Sequence, residues 1–76
     1  MVKTTAQGQV NTVRQCRVLS GLTQAQLADA IGVSRQTVVA IEAGDYAPSV
    51  YLALRLAGVL VTTVEALFAT PEEPLP

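Results

Sequence analysis

Apolar residues recur at helical spacing along most of the chain, and glycines and hydroxyl residues interrupt the pattern often enough to mark out short helices. Val10, Val13 and Cys16 make the first stripe. They predict a helix from about Val10 to Ser20, which Gly21 ends by its tolerance of positive φ. Leu27, Ala28 and Ile31 predict a second helix from about Gln24 to Ile31. Thr23 caps it, Gln26 completes the capping-box pattern three residues on, and Gly32 stops it. Ser34 then opens a third helix, from about Arg35 to Ala43, whose Val38 and Ile41 share a core with the second, and Gly44 follows. Ser49 caps a fourth helix from about Val50 to Leu60, with Val50, Ala53, Leu56, Ala57 and Leu60 as its expected core face. A short fifth helix, opened by Thr62 or Thr63 and running to about Phe68, closes the bundle with Val64, Leu67 and Phe68. The predicted class is all-α, a compact five-helix domain over residues 9–69. A loose arm (1–8) precedes it, and an extended, proline-rich acidic tail (70–76) follows.

Two capped helices hinged at a glycine, Thr23 to Glu42, have the grammar of a helix-turn-helix, with Arg35, Gln36, Val39, Ala40 and Ala43 facing outward from the third helix. A helix that begins Arg-Gln has the donors and the reach to read base edges in a major groove. Arg suits the paired acceptors of guanine and Gln the donor–acceptor edge of adenine, although either also suits a phosphate or simply a solvated helix start. Ala40 is small enough to let the helix sit close. An outward Val39 fits a thymine methyl and a protein contact equally well. Thr37 approaches the same surface. Gln24 stands where the free N–H groups and dipole of the second helix favour a phosphate. Arg14, from the first helix, and Lys3, from the arm, have the charge to reach the DNA backbone.

Residues 10–68 resemble the phage-repressor/Cro (XRE-type) helix-turn-helix domain. The resemblance rests on Arg14 and Arg17, Gly21-Leu22-Thr23-Gln24, Leu27-Ala28, Gly32-Val33-Ser34, Ile41-Glu42-x-Gly44, Pro48-Ser49 and Val64-Glu65-x-Leu67-Phe68. It implies that Gln24 clamps the DNA backbone, that Arg17 and Glu42 form a partly buried structural salt bridge, and that the final helix region is a dimerisation site. The chain departs from the family pattern in several places. Asp45 replaces a frequently basic residue, Ala47 a polar one, and Val61 a helix-ending glycine. Val18, Leu19, Leu52 and Val59 are apolar where relatives are often charged. Val18, Leu19, Leu52 and Val59, together with Val61, are a candidate dimer surface, with a shifted or larger core as the alternative for the set; Leu52, Val59, Val61 and, from the family's final-helix site, Leu67 are the expected dimer contacts.

Composition narrows the functional classes. Seventy-six residues permit one domain, and a chain 50% hydrophobic and only 14% charged has little charge to cover its surface, which predicts that some apolar surface meets another chain. The chain has no His and a single Cys, so a conventional metal site is excluded, and no nucleophile stands with a plausible base. Cys16 is expected to be a small buried hydrophobe. No enzyme activity, cofactor or membrane span is expected, and residence is expected to be cytoplasmic. The net charge of −1 is unfavourable for a DNA binder, but two of the six acidic residues, Glu72 and Glu73, lie in the tail. The expected function is that of a sequence-specific transcriptional regulator, repressor-like, acting as a homodimer on a roughly palindromic site in double-stranded DNA. The alternative is a protein-interaction or antitoxin-like module that keeps the fold and binds a protein partner, with weak or lost DNA binding.

Overall fold

The computed structural model describes residues 11–68, and in them the chain forms α1 (Val13–Leu19), α2 (Gln24–Ile31), α3 (Arg35–Ala43), α4 (Val50–Leu60) and α5 (Val64–Phe68). The expected arm, with Lys3, the tail and Val10 of the first stripe lie outside the described residues.

The helix starts follow from local chemistry. The Thr23 hydroxyl accepts the Gln26 N–H at 3.0 Å while Gln26 Oε1 accepts the Thr23 N–H at 2.9 Å, closing the capping box. Ser34, Ser49 and Thr63 accept from Thr37, Leu52 and Ala66 in the same way. At the first helix Thr12, the N-cap residue, makes no side-chain cap bond; Asn11 Oδ1 accepts the Val13 N–H instead. Four helices end alike. Gly21, Gly32, Gly44 and Val61 adopt positive φ, and the following residues Leu22, Val33, Asp45 and Thr62 donate back to Arg17, Ala28, Ala40 and Ala57. In three of these turns glycine takes the left-handed conformation without steric penalty, whereas Val61 (φ 56°) does so with a β-branched side chain.

The core joins all five helices. Val13, Leu27, Ile31, Val38, Ile41, Leu56 and Leu67 are essentially inaccessible, and Cys16 is half-buried against them. The α2 helix packs on α3 and α4, α5 on α4, and α1 on α3. Polar ties close the two ends of the described chain onto one another. The Thr12 N–H and hydroxyl donate to the carbonyls of Leu67 and Ala66, at 3.0 and 2.9 Å, and Asn11 Nδ2 donates to the Ile41 carbonyl at 2.8 Å.

Three expectations are corrected by the packing. Val50 was placed on the core face of α4 but is 71% exposed, and Leu52 takes that place at 8%. The α4 sequence is apolar at every position except Arg55 and Gly58, so its periodicity fits more than one phase, and contact with α2 and α5 selects the face of Leu52, Ala53, Leu56, Ala57 and Leu60. Leu52 and Leu67, expected as dimer contacts, are buried within the chain itself. Val59 is half-buried against the same core, which leaves Val61, 88% exposed, as the one member of that set on the open surface.

Candidate nucleic-acid interface

The turn at Gly32 and Val33 folds the start of α3 back against the start of α2, and two residues eleven apart in sequence meet there. Arg35 Nη2 donates to Gln24 Oε1 at 3.0 Å. On its other side the Gln24 amide donates through Nε2 to Glu42 Oε1 at 3.1 Å. Glu42, near the end of α3, in turn accepts from Arg17 of α1, at 2.6 Å from Nε and 3.3 Å from Nη2, and Arg17 Nη1 is held by the Leu22 carbonyl at 2.9 Å. The Arg17 and Glu42 side chains are only 11% and 4% exposed. The guanidinium fork and the further donor from Gln24 satisfy a carboxylate that would otherwise be poorly solvated. One continuous hydrogen-bonded chain therefore runs from the loop after α1, through the buried ion pair, to the first residue of α3.

The exposed side of α3 carries Arg35, Gln36, Val39 and Ala43, with Ala40 half-buried at its edge. Thr37 is half-buried, its hydroxyl 3.0 Å from that of Ser34. Arg14 is exposed on α1 and makes no side-chain hydrogen bond within the described residues. An open depression of about 450 Å³ lies beside the α2 N-terminus, lined by Val18, Leu22, Thr23, Gln24, Ala25 and the two arginines Arg17 and Arg35. Positive charge is sparse here. Of the four arginines in the described residues, Arg17 is paired with Glu42; Arg55, exposed on α4, donates to the Ile31 carbonyl at 3.0 Å, Arg35 donates to Gln24, and Arg14 makes no side-chain hydrogen bond.

Sequence reasoning missed two supports of this surface. Arg55 satisfies a C-terminal carbonyl of α2 and passes beside Gly32, so the turn of the motif is braced from α4. The available signal is a lone cation in an otherwise apolar helix, with the reach to hydrogen-bond a neighbouring helix's C-terminal carbonyl. Asn11, which braces the end of α3, has no comparable signature. The double use of Gln24 was also unread, because its partners come from helices that only the fold brings together.

The chain matches the family described as Helix-turn-helix over residues 13–67. The chain belongs to that family. It is 43% identical over 63 residues, 83% of this chain and 96% of the relative, to the HTH-type transcriptional regulator YgzD of Bacillus subtilis. Among solved structures it resembles the restriction-modification controller protein C.AhdI of Aeromonas hydrophila, with a TM-score of 0.67 and 34% identity over 74% of this chain and 81% of that one. It also resembles hydroxypropylphosphonic acid epoxidase from S. wedmorenis, with a TM-score of 0.78 and 28% identity over 99% of this chain but only 40% of the enzyme. The greater part of that enzyme thus has no counterpart in these 76 residues. The shared fold alone does not carry a function. Family membership and the regulator relatives do, and the protein is a DNA-binding transcriptional regulator of the helix-turn-helix type. No helix among the described residues is long and apolar enough to cross a membrane.

Proposed function

We propose that the regulator acts in the cytoplasm as a repressor-like homodimer on a roughly palindromic operator, placing α3 of each protomer in successive major grooves. Half-sites then lie ~34–36 Å apart, or a multiple of that. Arg35 and Gln36 read base edges, and Val39 and Ala40 lie against the groove on the same helix face. Gln24 and Thr37 engage backbone phosphates, with Arg14 and Lys3 adding electrostatic contacts. The observation that carries this reading is the Arg35–Gln24 hydrogen bond across the turn. It fixes the guanidinium at the start of α3 before any DNA arrives, so less side-chain entropy is lost on binding. The second N–H of the Gln24 amide is left for a phosphate at the α2 N-terminus, which ties base reading and backbone clamping to one side chain.

Selection from a randomised duplex pool at low salt tests the reading directly. The expected result is an enriched, inverted-repeat sequence. Arg35→Ala and Gln36→Ala are expected to abolish the enrichment while the helical circular dichroism is unchanged, because both side chains are exposed. Recovery of no preferred sequence by the unmodified protein would sink the proposal.

A further inference from the structure

The outward side of α3 runs out of polar side chains after its first turn. Arg35, Val39 and Ala43 stand four residues apart along one line of the helix, and all three are exposed, Val39 by 38% although its side chain is aliphatic. Gln36 and the half-buried Ala40 form the line beside it. The polar residues of the helix are Arg35, Gln36, Thr37 and Glu42. The first three belong to the N-terminal turn, and the Thr37 hydroxyl lies 3.0 Å from that of Ser34. Glu42, the one polar side chain further on, is only 4% exposed and accepts from Arg17 and Gln24. Beyond its first turn α3 therefore offers a base pair no side-chain donor or acceptor. It offers the isopropyl group of Val39 and the methyl groups of Ala40 and Ala43.

Such a surface carries sequence information in one way. The major groove presents hydrogen-bonding atoms at every base pair, but the one apolar group it presents is the C5 methyl of thymine. A polar base edge set against Val39 loses water and gains no hydrogen bond, so it is disfavoured. A methyl group set there removes two apolar surfaces from water together. We propose that Val39 is a specificity-determining residue that selects a pyrimidine C5 methyl group within each half-site. The inference rests on the reading that α3 enters the major groove, and it names what the helix reads past Arg35 and Gln36. Because valine makes no hydrogen bond, it recognises the methyl group and not the base that bears it. Thymine and 5-methylcytosine carry the same methyl at C5, beside an acceptor O4 in one and a donor N4 in the other. The contact accepts both and disfavours uracil and unmethylated cytosine.

The operator selected by the unmodified protein supplies the probe. Each thymine in turn is replaced by deoxyuridine, which deletes the methyl group and leaves every hydrogen-bonding atom in place, and binding is followed by fluorescence anisotropy. One thymine per half-site is expected to be sensitive. The affinity falls by about fourfold for one half-site and roughly fifteenfold for both, as expected for one buried methyl group in each. With a cytosine–guanine pair placed there instead, methylation of the cytosine at C5 is expected to strengthen binding by the same factor. Val39→Ala, at an exposed position, keeps its circular dichroism and binds the thymine and deoxyuridine operators equally. A selected operator with no fixed thymine in the half-site, or an unmodified protein indifferent to deoxyuridine at each one, overturns the proposal. Methyl dependence that persists in Val39→Ala also overturns it, because the methyl group then acts through DNA shape. Sensitivity to deoxyuridine without any gain from cytosine methylation overturns recognition of the methyl group alone. Failure to select any operator overturns this inference together with the groove reading, whereas an operator indifferent to the methyl overturns this inference and leaves the groove reading standing.

Discussion

Arg17 and Gln24 both touch Glu42, yet they stand in different positions with respect to water, and their removal has different consequences. Arg17 is the fork that neutralises a carboxylate only 4% exposed. Deleting one side of such a pair strands the other charge, at about 3–5 kcal/mol for a deeply buried pair. That is a large share of the 5–15 kcal/mol typical of a whole domain. Arg17→Ala is therefore expected to unfold much of the population at 25 °C, visible as a loss of helical signal and a low urea midpoint. Gln24→Ala removes two hydrogen bonds at the edge of the same chain and leaves the ion pair in place. It is expected to cost about 1–2 kcal/mol of stability, at 0.5–1.5 per bond with some recovery by water. It should weaken operator binding disproportionately, because Arg35 is then free to wander. Urea melts and titrations with the selected operator, run on both variants, separate the two roles. Equal effects of Gln24→Ala and Arg17→Ala on stability would refute the distinction.

Among the helices, the end of α4 is the one place where local sequence and local conformation disagree. Val61 holds φ 56° where the corresponding turns after α1, α2 and α3 use glycine. A left-handed residue with a Cβ costs roughly 1–2 kcal/mol, and a β-branched one lies at the upper end. Since Val61 is 88% exposed, replacing it gives up little packing within the chain. Val61→Gly is accordingly expected to stabilise the monomer by about 1 kcal/mol, once the greater entropy of glycine in the unfolded chain is offset against the relieved strain. A thermal melt at low protein concentration, where self-association does not contribute, should show a rise of several degrees. A lowered midpoint would mean that the valine side chain holds the turn in some other way.

For the whole molecule the question is how a chain of net charge −1 holds a polyanion. With Arg17 paired to Glu42 and Arg55 hydrogen-bonded to the Ile31 carbonyl, the proposed dimer would bring Arg14, Arg35 and Lys3 of each protomer to the polyanion. Six cations per dimer predict a log–log dependence of affinity on salt with a slope near about −5, from −0.9 per phosphate neutralised. Fluorescence anisotropy with the selected operator across a salt series measures it. A much steeper slope would mean that Arg17 or Arg55 also reaches phosphate. A slope near zero would mean that binding does not run through the phosphate backbone. With so little charge available, specific contacts from the Arg35–Gln36 end of α3 and the doubling of sites in a dimer must supply a larger share of the affinity.

Helix boundaries and the helix-turn-helix itself were legible because they depend on neighbours in sequence. Thr23 with Gln26, Ser34 with Thr37, and glycine at positions 32 and 44 make their cap bonds within one turn of chain, so residue type and spacing suffice to place them. The bounds of α2, α3 and α4 follow from that chemistry. The outward face of α3 was likewise fixed once Val38 and Ile41 were assigned inward. The phase of α4 was not legible. Nearly every residue in it is apolar, so burial of Leu52 and exposure of Val50 depend on where α2 and α5 happen to lie. The same holds for Leu67, which sequence pattern allowed to be either core or contact. Most of all, the hydrogen-bonded chain from Arg17 through Glu42 and Gln24 to Arg35 spans three helices. Each residue alone reads as a surface polar group or as half of a pair. Only packing brings the four within hydrogen-bond distance, because such contacts are fixed by the relative placement of helices and not by spacing along any one of them.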